Sequence, residues 1–273
     1  MVSKERDIKN IKSYMERNYF LILQIVKRDI WSKYKGSYLG IVWAVLVPLL
    51  MLLVFTFVFN GIFQAKWGNK ESLSKMDFSL NLFIGLSIFW FVADYISRAP
   101  TFFTSVPNYI KKVIFPLEVL PVAYLLSSLF NLFIYFILIV AIVLFSRGSV
   151  PVSIIALPIV IVSILPMLYG AGLFLASVSV YVRDLTSIIG VLINLLMFLS
   201  PIFYPLSAIN GKYRWLFELN PLSLIIEECR KIVMQGKWPD VKVLTIYVTI
   251  SCISFFIGYR VFVKTREGFA DVL

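Results

Sequence analysis

Long apolar runs constrain this chain more than any other feature of its sequence. About six stretches match the length that a helix needs to cross a bilayer core, about 20 apolar residues. They are 39–63, 79–97, 117–145, 152–182, 187–204 and 241–263. In lipid, each backbone N–H and C=O must be satisfied within its own segment, so such runs are helices and the domain is all-α. Composition rules out a single soluble core. Of the 273 residues, 60% are hydrophobic and 15% charged, whereas a soluble domain is near half apolar and about a quarter charged.

Residues 1–38 form a polar, basic segment ahead of this transmembrane domain of 39–263, and residues 264–273 form a short basic tail. Within the first segment, Tyr19, Ile22, Leu23, Val26 and Ile30 recur at helical spacing, with Arg17, Gln24, Arg28 and Lys35 opposite. The pattern predicts an amphipathic helix lying in the membrane interface, with Trp31, Tyr34 and Tyr38 leading into the first span. A surface helix packed on protein has the same periodicity. The N-terminus is too charged for a signal peptide.

Residues 205–240, between spans five and six, hold no run long enough to cross. Asn220 is placed to cap a helix, with Pro221 at its first position. Leu222, Ile225, Ile226, Cys229 and Val233 then make one apolar stripe, and Gly236 marks the stop. A re-entrant or interfacial pair of short helices is expected here.

Lysine and arginine placement sets the orientation. The N-terminal segment, 98–116, 183–186 and the C-terminal end from Arg260 onward fall on one side and carry 16 of the 26 basic residues. The positive-inside rule assigns that side, and both termini, to the cytoplasm. The net charge of +11 thus reflects span flanks rather than a nucleic-acid-binding face.

The chain has no His and no Gly-x-x-x-x-Gly-Lys-Ser/Thr phosphate loop, and Cys229 and Cys252 have no metal-ligand spacing. Neither a nucleophile elbow nor a catalytic acid pair is legible. No cofactor or metal is expected on the chain. A carrier built from inverted repeats would show internal symmetry, which is absent here.

Three groups of residues have candidate roles. Asp94 is the ionisable residue deepest in a span, and Arg98 four residues on is placed to pair with it. Arg28, Lys33 and Lys35 abut the first span, where they read either as a topology signal attracted to anionic lipid or as a site for a phosphate-bearing substrate. Among the aromatics, Tyr38 leads into the first span, Trp90, Phe91 and Tyr95 cluster in the second, and Phe203 and Tyr204 close the fifth. They read as interface belts and packing, or as rings lining a path for sugars.

Several short motifs, taken in order, resemble the membrane subunits of ABC-2-type exporters, especially those for bacterial cell-surface polysaccharides. Lys33-Tyr34-Lys35-Gly36-Ser37-Tyr38-Leu39-Gly40-Ile41-Val42-Trp43, with Pro48 beyond, is similar to that family's approach to its first span. The loop from Asn108-Tyr109-Ile110-Lys111-Lys112 through Phe115-Pro116 to Pro121 resembles the one before its third span. Tyr181-Val182-Arg183-Asp184, Ser200-Pro201-Ile202-Phe203-Tyr204-Pro205 and Asn220-Pro221 continue the likeness.

The resemblance implies a permease that works as a homodimer with two copies of a separate ATP-binding subunit, which holds the ATP and Mg. It implies export of a polysaccharide on a polyprenyl-diphosphate lipid, such as O-antigen, across the bacterial inner membrane through a channel at the dimer interface. On this reading Arg28, Lys33 and Lys35 meet the diphosphate, while Asn108, Lys111, Lys112, Phe115, Arg183 and Asp184 contact the ATPase or form a gate. A teichoic-acid, capsule or drug exporter of the same fold is an alternative. A stand-alone channel or carrier would show polar residues deep in several spans, and only Asp94 comes close.

Overall fold

The computed structural model describes residues 2–62, 67, 75–106, 116–209 and 211–272. They are helical, and no strand occurs among them. Helix α1 is Val2–Tyr34, α2 Trp43–Thr56, α3 Lys75–Arg98, α4 Val119–Arg147, α5 Leu157–Tyr181, α6 Leu185–Phe198, α7 Gly211–Glu218, α8 Pro221–Gln235 and α9 Val241–Thr265. Among the described residues, five segments are long and apolar enough to cross a membrane: Gly40–Ile62, Met76–Arg98, Val119–Arg147, Val152–Tyr181 and Val241–Gly268.

Helix α3 is the hub. Its most apolar stretch is 78% buried, against 17–44% for the other four crossing segments. Phe83, Leu86, Ile88 and Phe91 are sealed inside the protomer. Such side chains are shielded from solvent and lipid alike, so packing fixes the position of α3 while its neighbours keep one apolar face outward.

The tightest contact joins α5 to α9. A Cβ on Gly258 would lie 2.0 Å from the Gly170 carbonyl oxygen, and one on Gly170 would lie 2.5 Å from Phe255 Cα. Only glycine lets the two backbones touch, the means by which membrane helices gain van der Waals packing where lipid supplies no hydrophobic drive.

Polar contacts collect at the two ends of the bundle. At one end Tyr181 Oη donates to the Thr265 carbonyl at 3.0 Å, and Arg266 pairs with Glu118 at 3.2 Å. At the other, Arg147 pairs with Asp77 at 2.6 Å and donates to the Met234 carbonyl at 3.0 Å. Ser153 Oγ donates to the Ile232 carbonyl at 2.8 Å.

Two expectations need revision. The fifth span, expected over 187–204, is helical only to Phe198, and residues 199–205 leave the helix. At about 1.5 Å per residue, α6 is roughly 21 Å long, less than the roughly 30 Å hydrocarbon core. Pro201 cannot donate an N–H to continue the helix, and Asn220 at the N-cap of α8 and Arg230 within it take the Leu199 and Pro201 carbonyls. The apolar stripe of α1 also divides. Ile22 and Val26 pack on the core beside Leu21 and Ile25, whereas Tyr19 and Leu23 are exposed with Phe20 and Trp31. The packed face of α1 lies against α4.

Helix α8 has the expected punctuation. The Asn220 side chain accepts from the Leu222 N–H at 2.9 Å, Pro221 follows, and Gly236 ends the helix at φ 66°. Leu222, Ile225, Ile226, Cys229 and Val233 are all buried.

Candidate functional site at the α1–α3–α4 junction

The last turn of α3 carries Asp94 and Arg98 on one face, four residues apart. Arg98 Nη2 lies 3.0 Å from Asp94 Oδ2. The pair belongs to a larger network. Lys33 Nζ of α1 reaches the same carboxylate at 3.1 Å, and Ser128 Oγ of α4 donates to it at 2.6 Å. Arg98 Nη1 pairs with Asp29 of α1 at 2.8 Å, and Ser127 donates to that same Asp29 oxygen. Arg98 also sits 5.4 Å over the Tyr124 ring.

Two acids and two bases here, from α1 and α3, are each 15–28% exposed at the side chain, and Ser127 and Ser128 bring in α4. Charge-assisted bonds in a partly desolvated setting are stronger than exposed pairs, so the network joins α1 to the bundle. Tyr34 Oη adds a bond to Asn131 Oδ1 at 3.3 Å. Its phenol pKa is raised, first by burial and then by the Asp94 carboxylate.

Beside the network lies an open cleft of about 580 Å³. Val47, Met51 and Phe55 of α2 form one wall, Trp90 and Asp94 of α3 the floor, Asn131 and Tyr135 of α4 the other wall, and Ile193 of α6 the far edge. Trp90 meets Tyr135 edge to face, with centroids 5.7 Å apart. Aromatic faces beside an amide and a carboxylate can stack on and hydrogen-bond to a polyhydroxyl ligand.

The candidate residues from the sequence separate in space. Lys33 is held by Asp94, whereas Arg28 and Lys35 are exposed and have no ion pair among the described residues. Trp90 lines the cleft. Phe91 and Tyr95 do not line any path outside the protomer. They are 1% and 0% exposed, with Tyr95 packed on Phe102 at 5.3 Å, because they face the core side of α3. Tyr38 is fully exposed in the turn before α2.

Phe203 is buried and stacks on Phe59 at 4.7 Å, and the Tyr204 ring meets Phe217 edge to face at 5.9 Å. Arg183 and Asp184 are exposed in the turn before α6. Asn108, Lys111, Lys112 and Phe115 lie outside the described residues.

Asp29, Ser127, Ser128 and Asn131 were not singled out from the sequence. A lone acid within a basic cluster, and a serine pair inside an apolar run, were the available signals. No group of three or more potential metal ligands occurs among the described residues.

Comparison with known proteins agrees with this architecture. Residues 21–234 match the family model described as ABC-2 type transporter. The chain is 25% identical to the O-antigen export system permease protein RfbA of Myxococcus xanthus, over 92% of this chain and 94% of that one. It is 25% identical to the protein of the same name from Klebsiella pneumoniae, over 93% and 95%. It is 24% identical to the polysialic acid transport protein KpsM of Escherichia coli, over 88% and 91%. A match over most of the chain, with helices that can cross a bilayer, makes this a multi-pass membrane protein that belongs to the ABC-2 type transporter family.

Proposed function

We propose that this chain is the membrane-spanning permease subunit of an ATP-driven exporter of a bacterial cell-surface polysaccharide. The observation that carries the reading is the cleft beside the charged network, where Trp90, Tyr135, Asn131 and Asp94 offer aromatic faces and hydrogen-bonding groups together. Sugars need both, because their ring faces are apolar and their edges are hydroxyls. The names of relatives that align over nearly their whole length support the same class of cargo.

The cargo would be linked to a polyprenyl diphosphate. Arg28 and Lys35, exposed and unpaired among the described residues, are the groups that would meet the diphosphate at the membrane face, with Lys33 behind them. Two copies of the chain would form the path between them.

The energy would come from a separate ATP-binding subunit in two copies, carrying ATP and Mg, since the sequence holds no phosphate loop of its own. Helix α1, Asn108, Lys111, Lys112, Phe115, Arg183 and Asp184 are the candidate contacts to it. Closure of that partner would shift the balance between closed and open states through α1, which the charged network joins to α3 and α4. The termini would face the cytoplasm from the inner membrane, as the basic residues predict.

The test is deletion of the chain's gene in its native host, with surface polysaccharide and co-purifying proteins as readouts. The reading requires loss of surface polysaccharide, recovery on complementation, and a near-stoichiometric ATP-binding subunit in mild detergent. Unchanged surface polysaccharide, or a chain purified alone, would overturn it.

A further inference from the structure

Arg230 on α8 has only 4% of its side chain exposed, yet every guanidinium N–H has a partner. Nε and Nη2 donate to the Asn81 carbonyl at 3.1 and 3.0 Å. Nη1 donates to the Pro201 carbonyl at 2.6 Å and to Glu227 at 2.9 Å, and Nη2 donates to the Ile202 carbonyl at 3.0 Å. The Trp67 ring lies 4.4 Å from the guanidinium carbon. Burial pulls the pKa down to about 10, which still leaves the group charged at neutral pH.

The Pro201 and Ile202 carbonyls mark the place where a span fails. Helix α6 stops at Phe198, and the backbone then runs through a buried, non-helical turn from Ser200 to Phe203. Carbonyls released by a broken helix at membrane depth need donors from elsewhere in the protein. Arg230 supplies those for residues 201 and 202, and Asn220 Nδ2 supplies the one for Leu199 at 2.9 Å. Arg230 lies on α8 and Asn220 is its N-cap, while Tyr204 Oη and Ser200 Oγ take the Phe198 and Leu196 carbonyls from within the segment itself. Space is kept for the guanidinium, since a Cβ on Gly85 would come within 2.9 Å of Nη2.

Along its length, in contrast, α6 packs through one narrow face, where Ile193, Leu196 and Met197 rest half-buried on the core. Of its residues only Ile189 is buried, while Ile188, Val191, Leu192, Leu195 and Phe198 are exposed. The helix is therefore fixed at its C-terminal end and free along its outer face. Its inner face supplies Ile193 to the rim of the cleft.

We propose that Arg230 is a positioning residue that anchors the C-terminal end of α6, so that this helix, and with it the far edge of the cleft, moves about the Pro201–Ile202 turn. The same anchor seats Phe203 against Phe59, at the π-helical end of the first span. The consequence for export rests on the cleft being the path of the cargo. The anchoring itself does not.

The experiment measures distances between paired spin labels in the full chain, reconstituted in bilayers, in a Cys252→Ser background that leaves the buried Cys229 in place. One pair, Leu199→Cys with Trp238→Cys, reports the seat. A reference pair, Leu126→Cys with Val162→Cys, reports the bundle. All four positions are exposed.

Arg230→Lys retains the charge but cannot serve all these carbonyls from one ammonium. Where that variant fails to fold, Gly85→Ala crowds the anchor and its seat together, since a Cβ there would lie 2.9 Å from Arg230 Nη2 and 3.3 Å from Ile202 Cα. Either variant is expected to broaden the seat distribution about twofold while the reference pair stays narrow, as local release requires, and surface polysaccharide should fall at unchanged protein level. An unchanged seat, or both pairs broadening together, would overturn the anchor. A broadened seat with full export would uphold the anchor and remove the cleft as the cargo's path.

Discussion

Arg98 of α3 grips Asp29 of α1 at 2.8 Å with one arm of its guanidinium and Asp94 at 3.0 Å with the other. Removing it leaves two partly buried carboxylates facing each other across a helix junction. Arg98→Ala should cost about 1–3 kcal/mol, the range for a lost buried partner. Denaturant unfolding in micelles checks this. A double-mutant cycle of Asp29→Asn with Arg98→Gln should show coupling, and strict additivity would contradict the network.

The basic residues before the first span should divide by role. Lys33 is committed to Asp94, whereas Arg28 and Lys35 face outward. Lys33→Gln is expected to loosen α1, read as faster protease cleavage within it. Arg28→Gln with Lys35→Gln should leave cleavage unchanged and lower export. If the three substitutions behaved alike, the division would be wrong.

Adjacent aromatics on α3 should also differ. Trp90→Ala opens the cleft and should reduce surface polysaccharide at normal protein level. Phe91→Ala empties a sealed core site, at a cost of about 3–5 kcal/mol. It should deplete the protein from the membrane. Quantitative immunoblotting beside surface polysaccharide separates the two effects.

Gly258→Ala places a methyl 2.0 Å from the Gly170 carbonyl oxygen, so α5 and α9 must separate. Overpacking of this kind costs about 1–3 kcal/mol. Gly190→Ala meets nothing within 4 Å and should be near neutral. Melting temperatures of the two variants provide the comparison.

Cys229 should resist thiol reagents where Cys252 does not. It is fully buried, and burial raises its thiol pKa to about 12. Only the thiolate reacts, and it becomes abundant only as pH nears the pKa. Raising pH from about 7 to about 9 should therefore leave Cys229 unmodified. Intact-mass measurement should show a single adduct on the native fold and two after unfolding.

Much of the fold was legible because its signals are local. Span-length apolar runs are properties of contiguous sequence, as are the Asn220-Pro221 start and Gly236 stop of α8, and the structure has these punctuation marks and all the expected spans but the fifth at crossing length. Asp94 stood out because charge in an apolar run is costly, and Arg98 lay one turn away. Asp29, Ser127 and Ser128 did not, because their meaning depends on residues far away in the chain. Phe91 and Tyr95 looked like Trp90 in composition. Which side of the apolar middle of α3 faces the core depends on its neighbours, not on its own periodicity.

The sequence alone determined that the chain crosses a membrane, that its spans are helices, and where short helices interrupt them. Lipid leaves an apolar backbone run no alternative, and caps act within one turn. The tertiary structure decided which charges meet and where the fifth span ends. Asp94, Arg98, Asp29 and Lys33 become one network only when α1 docks on α3 and α4. In the turn after Phe198, Arg230 and Asn220, from elsewhere in the chain, donate to the Pro201, Ile202 and Leu199 carbonyls, contacts that no local sequence signal specifies.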